Sequence, residues 1–428
     1  MRKDCYGNTI TTSSDAARDA YDKGIQLFLS GNYGAVEAFS EAVEADPGFA
    51  LGHAALARAQ MMAARMDEAK ATIAAAQSLT SGVSKREEAH LAAMATLLAG
   101  KPVETRRMVE EHVRTYPRDT LIAQLCTNVF GLIGFSGEVG REAALLAYTH
   151  ALLPHYGEDW WMMSMHALSL CETGQTDASI SLMEKSLAIE PRNAQGSHFK
   201  SHAQYEAGDI KTSRAYLAEW MPSYDNRSIL HSHLSWHQAL LALADGDEAE
   251  LWDIVDSAVA PGGAKGLPIN VLTDTAAIYH RADLAGMKVD QSRWRMLSDY
   301  AVQFFPETGQ SFADLHAALS HAMAGEGERL AYISDTAKGF AGDLVRPLAR
   351  AFNAIAHENW PDALDHLTPV MATHERLGGS RAQRDLLELT YVNVLMRLNR
   401  TDEARRTLAL RRPELAKSPP LATLQSAA

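Results

Sequence analysis

The chain has 428 residues, room for two or three ordinary domains or for one long repeat array. Its 46% apolar and 22% charged content is that of a folded chain, and a net charge of −13 argues against nucleic acid or anionic lipid as a partner. Three cysteines (Cys5, Cys126, Cys171) cannot staple so long a chain, no run approaches the roughly eighteen apolar residues of a membrane span, and the first fifteen residues lack the apolar core of a signal peptide. These features predict a reduced, cytoplasmic protein with no membrane partner.

Residues 1–14 carry no helical periodicity and are expected to be poorly ordered. From residue 15 a pattern repeats. Gly31–Pro47 (GNYGAVEAFSEAVEADP) has a turn glycine, an alanine-rich helix and a closing proline. Ala50–Ala76 (ALGHAALARAQMMAARMDEAKATIAAA) gives two amphipathic helices around a turn at Arg65–Asp67, neither able to hide its apolar stripe alone. Gly100–Pro117 and Gly174–Pro191 repeat the plan with glycine and proline seventeen positions apart, and Gly208 follows Gly174 by thirty-four. Glycine accepts the left-handed cap after a helix, and proline cannot continue the helix before it.

Residues 120–157 are predicted helical but lack the small-residue code, and Asp159 opens a helix whose Trp160 and Trp161 are assigned to packing. The run APGGAKGLP (260–268) interrupts the period as a loop. Gly246, Gly325 and Asn399 mark later turns, no alternating β-branched segment predicts a strand, and the proline-broken 413–428 tail is expected to be poorly ordered.

The thirty-four-residue helix–turn–helix unit resembles the tetratricopeptide repeat over residues 15–412. The resemblance implies an all-α, tetratricopeptide-like α-solenoid of stacked helix pairs forming one domain, and its length suggests a ring-like superhelix around a central cavity. It also implies that the first helix of each pair lines a concave surface. On those helices the facing positions hold Gln195, His198, His202 and Tyr205, then His233, Trp236, Leu240 and Leu243, with His237 beside Trp236.

His198 and His202 are four apart, as are His233 and His237, so each pair shares a helix face. Imidazoles with a phenol and an indole suit an anionic or aromatic ligand; the same residues also read as packing inside the solenoid. Two such pairs have the nitrogen count for zinc or copper, yet no HExxH string and no third carboxylate ligand accompanies them, and no metal or cofactor is expected. A second cluster, GGSRAQRD (Gly378–Asp385), opens a helix with a capping box of Ser380 and Gln383. That leaves Arg381, Arg384 and Asp385: two guanidinium groups for a carboxylate or phosphate, and an acid to orient a histidine, or else an exposed salt-bridged turn.

The segments HLSWHQAL (His233–Leu240) and GGSRAQRD together resemble the tetratricopeptide repeat protein 38 family, in which corresponding segments occur in this order and at this separation. The resemblance singles out His233, Trp236, His237, Gln383, Arg384 and Asp385, with Arg381 at a variable position. The expected function is a small-molecule-binding repeat protein with an interior His/Trp/Arg/Asp pocket. In the enzyme alternative, a hydrolase or lyase, His233 or His237 acts as general base with Asp385 catalytic. His198, His202, Tyr205, Trp236, Gln383, Arg384 and Arg381 then bind the substrate. The third reading is a protein-interaction scaffold, with a protein partner or a second copy of the chain.

Overall fold

The computed structural model describes residues 2–426. The fold is all-α and tetratricopeptide-like, built from helix–turn–helix pairs whose members pack on their chain neighbours. It parts into two compact units. The first comprises residues up to Gly134, Glu142–Lys200 and Arg227–Ile229; the second comprises Phe135–Arg141, Ser201–Asn226 and residues from Leu230 onward.

In the first unit the helices Asp15–Ser30, Ala35–Ala45, Ala50–Met62, Met66–Ser78, Lys85–Leu98 and Pro102–Thr115 stack in chain order. Small residues let them approach closely. A Cβ at Gly24 would lie 2.5 Å from the Phe39 ring, so the first pair needs glycine there. Tyr21 then stands edge-on to Phe49 at 5.1 Å, in a core with Leu51 and Ile122. The turn after the Ala50–Met62 helix falls at residues 63–65, slightly earlier than its charged residues suggested. At Gly174 and Gly208 the turns take left-handed backbone, φ 80° and 73°, as the repeat grammar requires.

Three segments differ from their sequence reading. Residues 2–10, expected to be loose, form a small antiparallel hairpin pairing Arg2 with Ile10 and Lys3 with Thr9. It is held because Ile10 is fully buried and the Thr11 amide and hydroxyl both donate to the Glu87 carboxylate, at 2.7 and 2.6 Å. Residues 127–140, expected to be helical, are irregular between the Gln124–Cys126 turn and the Arg141–Tyr156 helix. The turn at Gly134 is so tight that a Cβ there would lie 2.0 Å from the Val129 carbonyl oxygen. Residues 413–426 of the tail also pack, 427–428 lying outside the described residues: Leu421 and Leu424 join the core of the second unit, and the Thr423 hydroxyl donates to Asn393 Oδ1 at 3.1 Å.

Buried in the first unit is a charge network around Asp119. Arg86 Nη1 donates to its Oδ2 at 2.7 Å, and the rings of His90 and His112 each meet the carboxylate at 3.0 Å. Burial pushes the Asp119 carboxyl upward, but the charge and hydrogen bond of His90, with the His112 bond and Arg86, outweigh it and hold the group well below the usual range. A carboxyl depressed in the folded state stabilises fully above its unfolded pKa of about 3.9 and loses that stabilisation as pH falls toward the folded value. The melting temperature of Asp119→Asn, followed by circular dichroism, is therefore expected to lie below wild type near neutrality and to converge on it below about pH 4. Parallel curves through that window would show that Asp119 is not a stabilising ion.

The second unit stacks His231–Asp245, Pro268–Leu284, Gln291–Phe304, Ser311–Ala324, Gly342–Ala356 and Trp360–Val370, and the long Arg381–Arg397 helix packs against Pro268–Leu284. Its core runs through Trp236, Leu272, Ile278, Trp294, Leu319, Phe352 and Leu395. Residues 261–267 form the expected loop, entered through one π-helical turn at Val255–Val259.

Candidate functional site

The helix Ala194–Glu206 carries His198, His202 and Tyr205 along one face, because spacings of four and three bring side chains round to the same side. Helix His231–Asp245, ended by Gly246 in left-handed conformation, carries His233, Trp236 and His237 in the same way. Within the second unit the His202 and His237 rings meet edge-on at 4.4 Å, and His233 stands 5.1 Å from His237 at 81°. Trp236 stacks on His233 at 5.2 Å and stands edge-on to His237 at 4.9 Å. Ring nitrogens of His202, His233 and His237 lie within 4.8 Å of one another. His198, one turn before His202, is buried too and belongs to the first unit.

A carboxylate organises this cluster. Asp274 on the Pro268–Leu284 helix meets His233 Nδ1 at 2.6 Å, with both side chains about 2% exposed. The Gln383 carboxamide lies against the same carboxylate, while its Oε1 accepts from the Ser380 amide at 3.0 Å in the predicted capping box. Burial lifts the Asp274 carboxyl above its ordinary value, against the pull of His233. It drives the imidazoles the other way: His202 falls to about 3 and His237 well below its usual value, by desolvation first and then by neighbouring imidazoles. At neutral pH these two rings are uncharged.

Beside the cluster runs a chain of ionic contacts. Tyr205 Oη donates to Asp385 Oδ2 at 2.8 Å and accepts from Arg281 Nη2 at 2.6 Å. Arg412 forks onto Glu206 at 2.6 and 2.7 Å and pairs with Asp385 through Nη2 at 3.0 Å. Its Nε is 2.6 Å from Asp385 Oδ1, an ion-pair distance with an angle too bent for a hydrogen bond. Arg381 Nε adds a 2.9 Å contact to Glu206. The middle of the chain and the Gly378–Asp385 turn therefore come together through Asp274–Gln383 and Tyr205–Asp385.

No family model matches the chain. Among solved structures it is similar to yeast Tom70, at 13% identity over 96% of each chain with a TM-score of 0.34. The TPR domain of P58(IPK) gives 10% identity over 90% of each chain and a TM-score of 0.23. Naa15/Naa10 bound to HypK-THB gives 13% identity, 92% of this chain and 58% of that one, and 0.24. Likenesses this distant say nothing of what this chain binds.

Two expectations for these residues are corrected. Asp385 does not orient a histidine: its carboxylate is taken by Tyr205 and Arg412, and Asp274 holds His233. Arg384 Nη1 donates to the Gly379 carbonyl at 3.2 Å. Of the positions assigned to a concave surface, His202, Tyr205, His233 and Trp236 are interior to the second unit instead, and Leu240 and Leu243 are core.

The sequence reading missed Asp274, Arg281, Glu206 and Arg412. Asp274 and Arg281 carried a usable signal: they lie seven apart, two turns along one face of a largely buried helix, where a buried charge requires a partner. His280, also without a visible partner, meets Thr390 Oγ1 at 2.9 Å, and burial lowers it to about 4.

Proposed function

We propose that the chain is a helical-repeat binding protein of the tetratricopeptide repeat protein 38 type. Its second unit takes a small organic anion, aromatic or not, at the His202–His233–Trp236–His237 cluster. Stacked helix pairs suit scaffold and interaction roles in general; one observation favours a small ligand at this place. The indole Nε1–H of Trp236, fully buried, has no acceptor among the described residues. An unmatched buried donor costs roughly 1–3 kcal/mol, and an acceptor atom of a ligand beside the indole removes that cost. Arg281 supplies nearby positive charge, and Asp274 fixes the His233 tautomer against which an anion is oriented.

The test is a thermal-shift screen of the full chain against small carboxylates, benzoate and citrate included. A cognate member at one hundred times its Kd stabilises wild type by about 2.7 kcal/mol, and the shift is lost in His237→Ala. If no member moves wild type, or if His237→Ala responds equally, the small-ligand reading fails. The Asp274–His233 pair also favours a second reading, general-base catalysis by His233. That reading requires the bound compound to be converted, and conversion to collapse in Asp274→Asn.

A further inference from the structure

The geometry points to a zinc-like transition-metal dication held by His202, His233 and His237, with Asp274 fixing His233 from behind and one coordination position left for the anion. This inference rests on the site proposed above and names what receives the ligand there. Three nitrogens no more than 4.8 Å apart all lie within about 2.8 Å of a common centre. Shifts of less than about 1 Å bring them to the 2.0–2.1 Å of a zinc–imidazole bond.

Two further features suit a metal. The 2.6 Å contact of His233 Nδ1 with Asp274 commits that nitrogen and leaves Nε2 as the ligand atom. A carboxylate behind a ligating imidazole is the usual support for such a ligand, fixing its tautomer and raising its basicity. The Asp274 charge also partly balances a dication in a buried site, against the opposing field of Arg281 on His237. A zinc held by three protein nitrogens keeps a fourth tetrahedral position for an outside donor, as in reactive rather than purely structural sites. An anion bound to that position would be held more tightly than by imidazole and indole donors alone. The sequence offers no HExxH string and no third carboxylate ligand; Asp274 supplies a carboxylate as a support to His233 instead, forty-one positions along the chain. His198, in the first unit, is no part of the proposed set.

Because the ligands are enclosed, the ion is expected to enter as the unit folds. The full chain is unfolded in denaturant with chelator, then refolded with and without Zn2+, or with Co2+ as a spectroscopic probe. One equivalent of Zn2+ is expected after desalting, and Co2+ should give the intense visible bands of a tetrahedral nitrogen site. Asp274→Asn, which preserves shape, should weaken zinc binding about 10–100-fold, and His237→Ala should weaken it further. The exposed His357→Ala should bind as wild type. Less than a tenth of an equivalent in refolded wild type, or wild-type zinc affinity in both Asp274→Asn and His237→Ala, overturns the metal site. The two readings fail separately. A carboxylate that stabilises chelator-treated wild type but not His237→Ala removes the metal and keeps the small-ligand site. Stoichiometric zinc with no carboxylate response keeps the metal and removes the organic ligand.

Discussion

Replacing Arg412 with alanine is expected to destabilise the second unit by about 3–5 kcal/mol, read as a shift of its denaturant unfolding transition. Arg412 is only 7% exposed, and its one guanidinium serves two buried carboxylates, Glu206 and Asp385. Burial is the largest influence on both acids and pushes both upward. Against it, the Arg412 and Arg381 contacts bring Glu206 below its ordinary value, while Asp385, with Glu206 also repelling it, remains raised. Without Arg412 the two acids face each other inside the unit with Arg381 and Arg281 as their remaining cations, and one must take up a proton or draw in water. Tyr205 loses its anchor in the same step, since its hydroxyl is oriented by Asp385 and Arg281. Arg412→Lys should fall between wild type and alanine, because an ammonium cannot reproduce the fork. A loss below about 1 kcal/mol would place this network with solvated surface pairs and remove it as the brace of the site.

The contrast between Arg412 and Ser380 explains what the sequence could reveal. The capping box of Ser380 and Gln383 spans three positions, and its chemistry is visible in the letters; the structure contains it as expected. The turn glycines, the Asp159 cap and the two histidine pairs are legible for the same reason, since each is a contact within one helix or turn. The bonds that assemble the candidate site span 41 positions for His233–Asp274, 76 for Tyr205–Arg281 and 206 for Glu206–Arg412. Helix periodicity says that a face is polar without saying which distant face answers it. The N-terminal hairpin escaped for a related reason: its order comes from burying Ile10 and from Glu87, far along the chain, and not from its own two-residue strands. At residues 127–140 the composition is apolar enough for a helix, but Gly131, Gly134, Gly137 and Gly140 allow a backbone path that a helix cannot follow.

Trp236→Ala is expected to be the other severe change, at about 3–5 kcal/mol, because it empties the place of one of the largest fully buried side chains and leaves His233 and His237 without their aromatic neighbour. Alanine alone would not separate a core residue from a binding residue; phenylalanine does. Trp236→Phe removes roughly 40 Å3, worth about 1 kcal/mol at 24 cal/mol per Å3 of cavity. It also deletes the buried indole donor, whose unmet hydrogen bond costs roughly 1–3 kcal/mol. The two terms oppose, so the ligand-free phenylalanine variant should melt close to wild type. A purely structural tryptophan predicts nothing more. If Nε1–H donates to a bound anion, Trp236→Phe should instead lose about tenfold or more in carboxylate affinity while keeping its stability, since a hydrogen bond to a charged group is worth about 1.5–3 kcal/mol. Unchanged affinity in a stable Trp236→Phe would confine the indole to packing and place the anion on the imidazole side of the cluster.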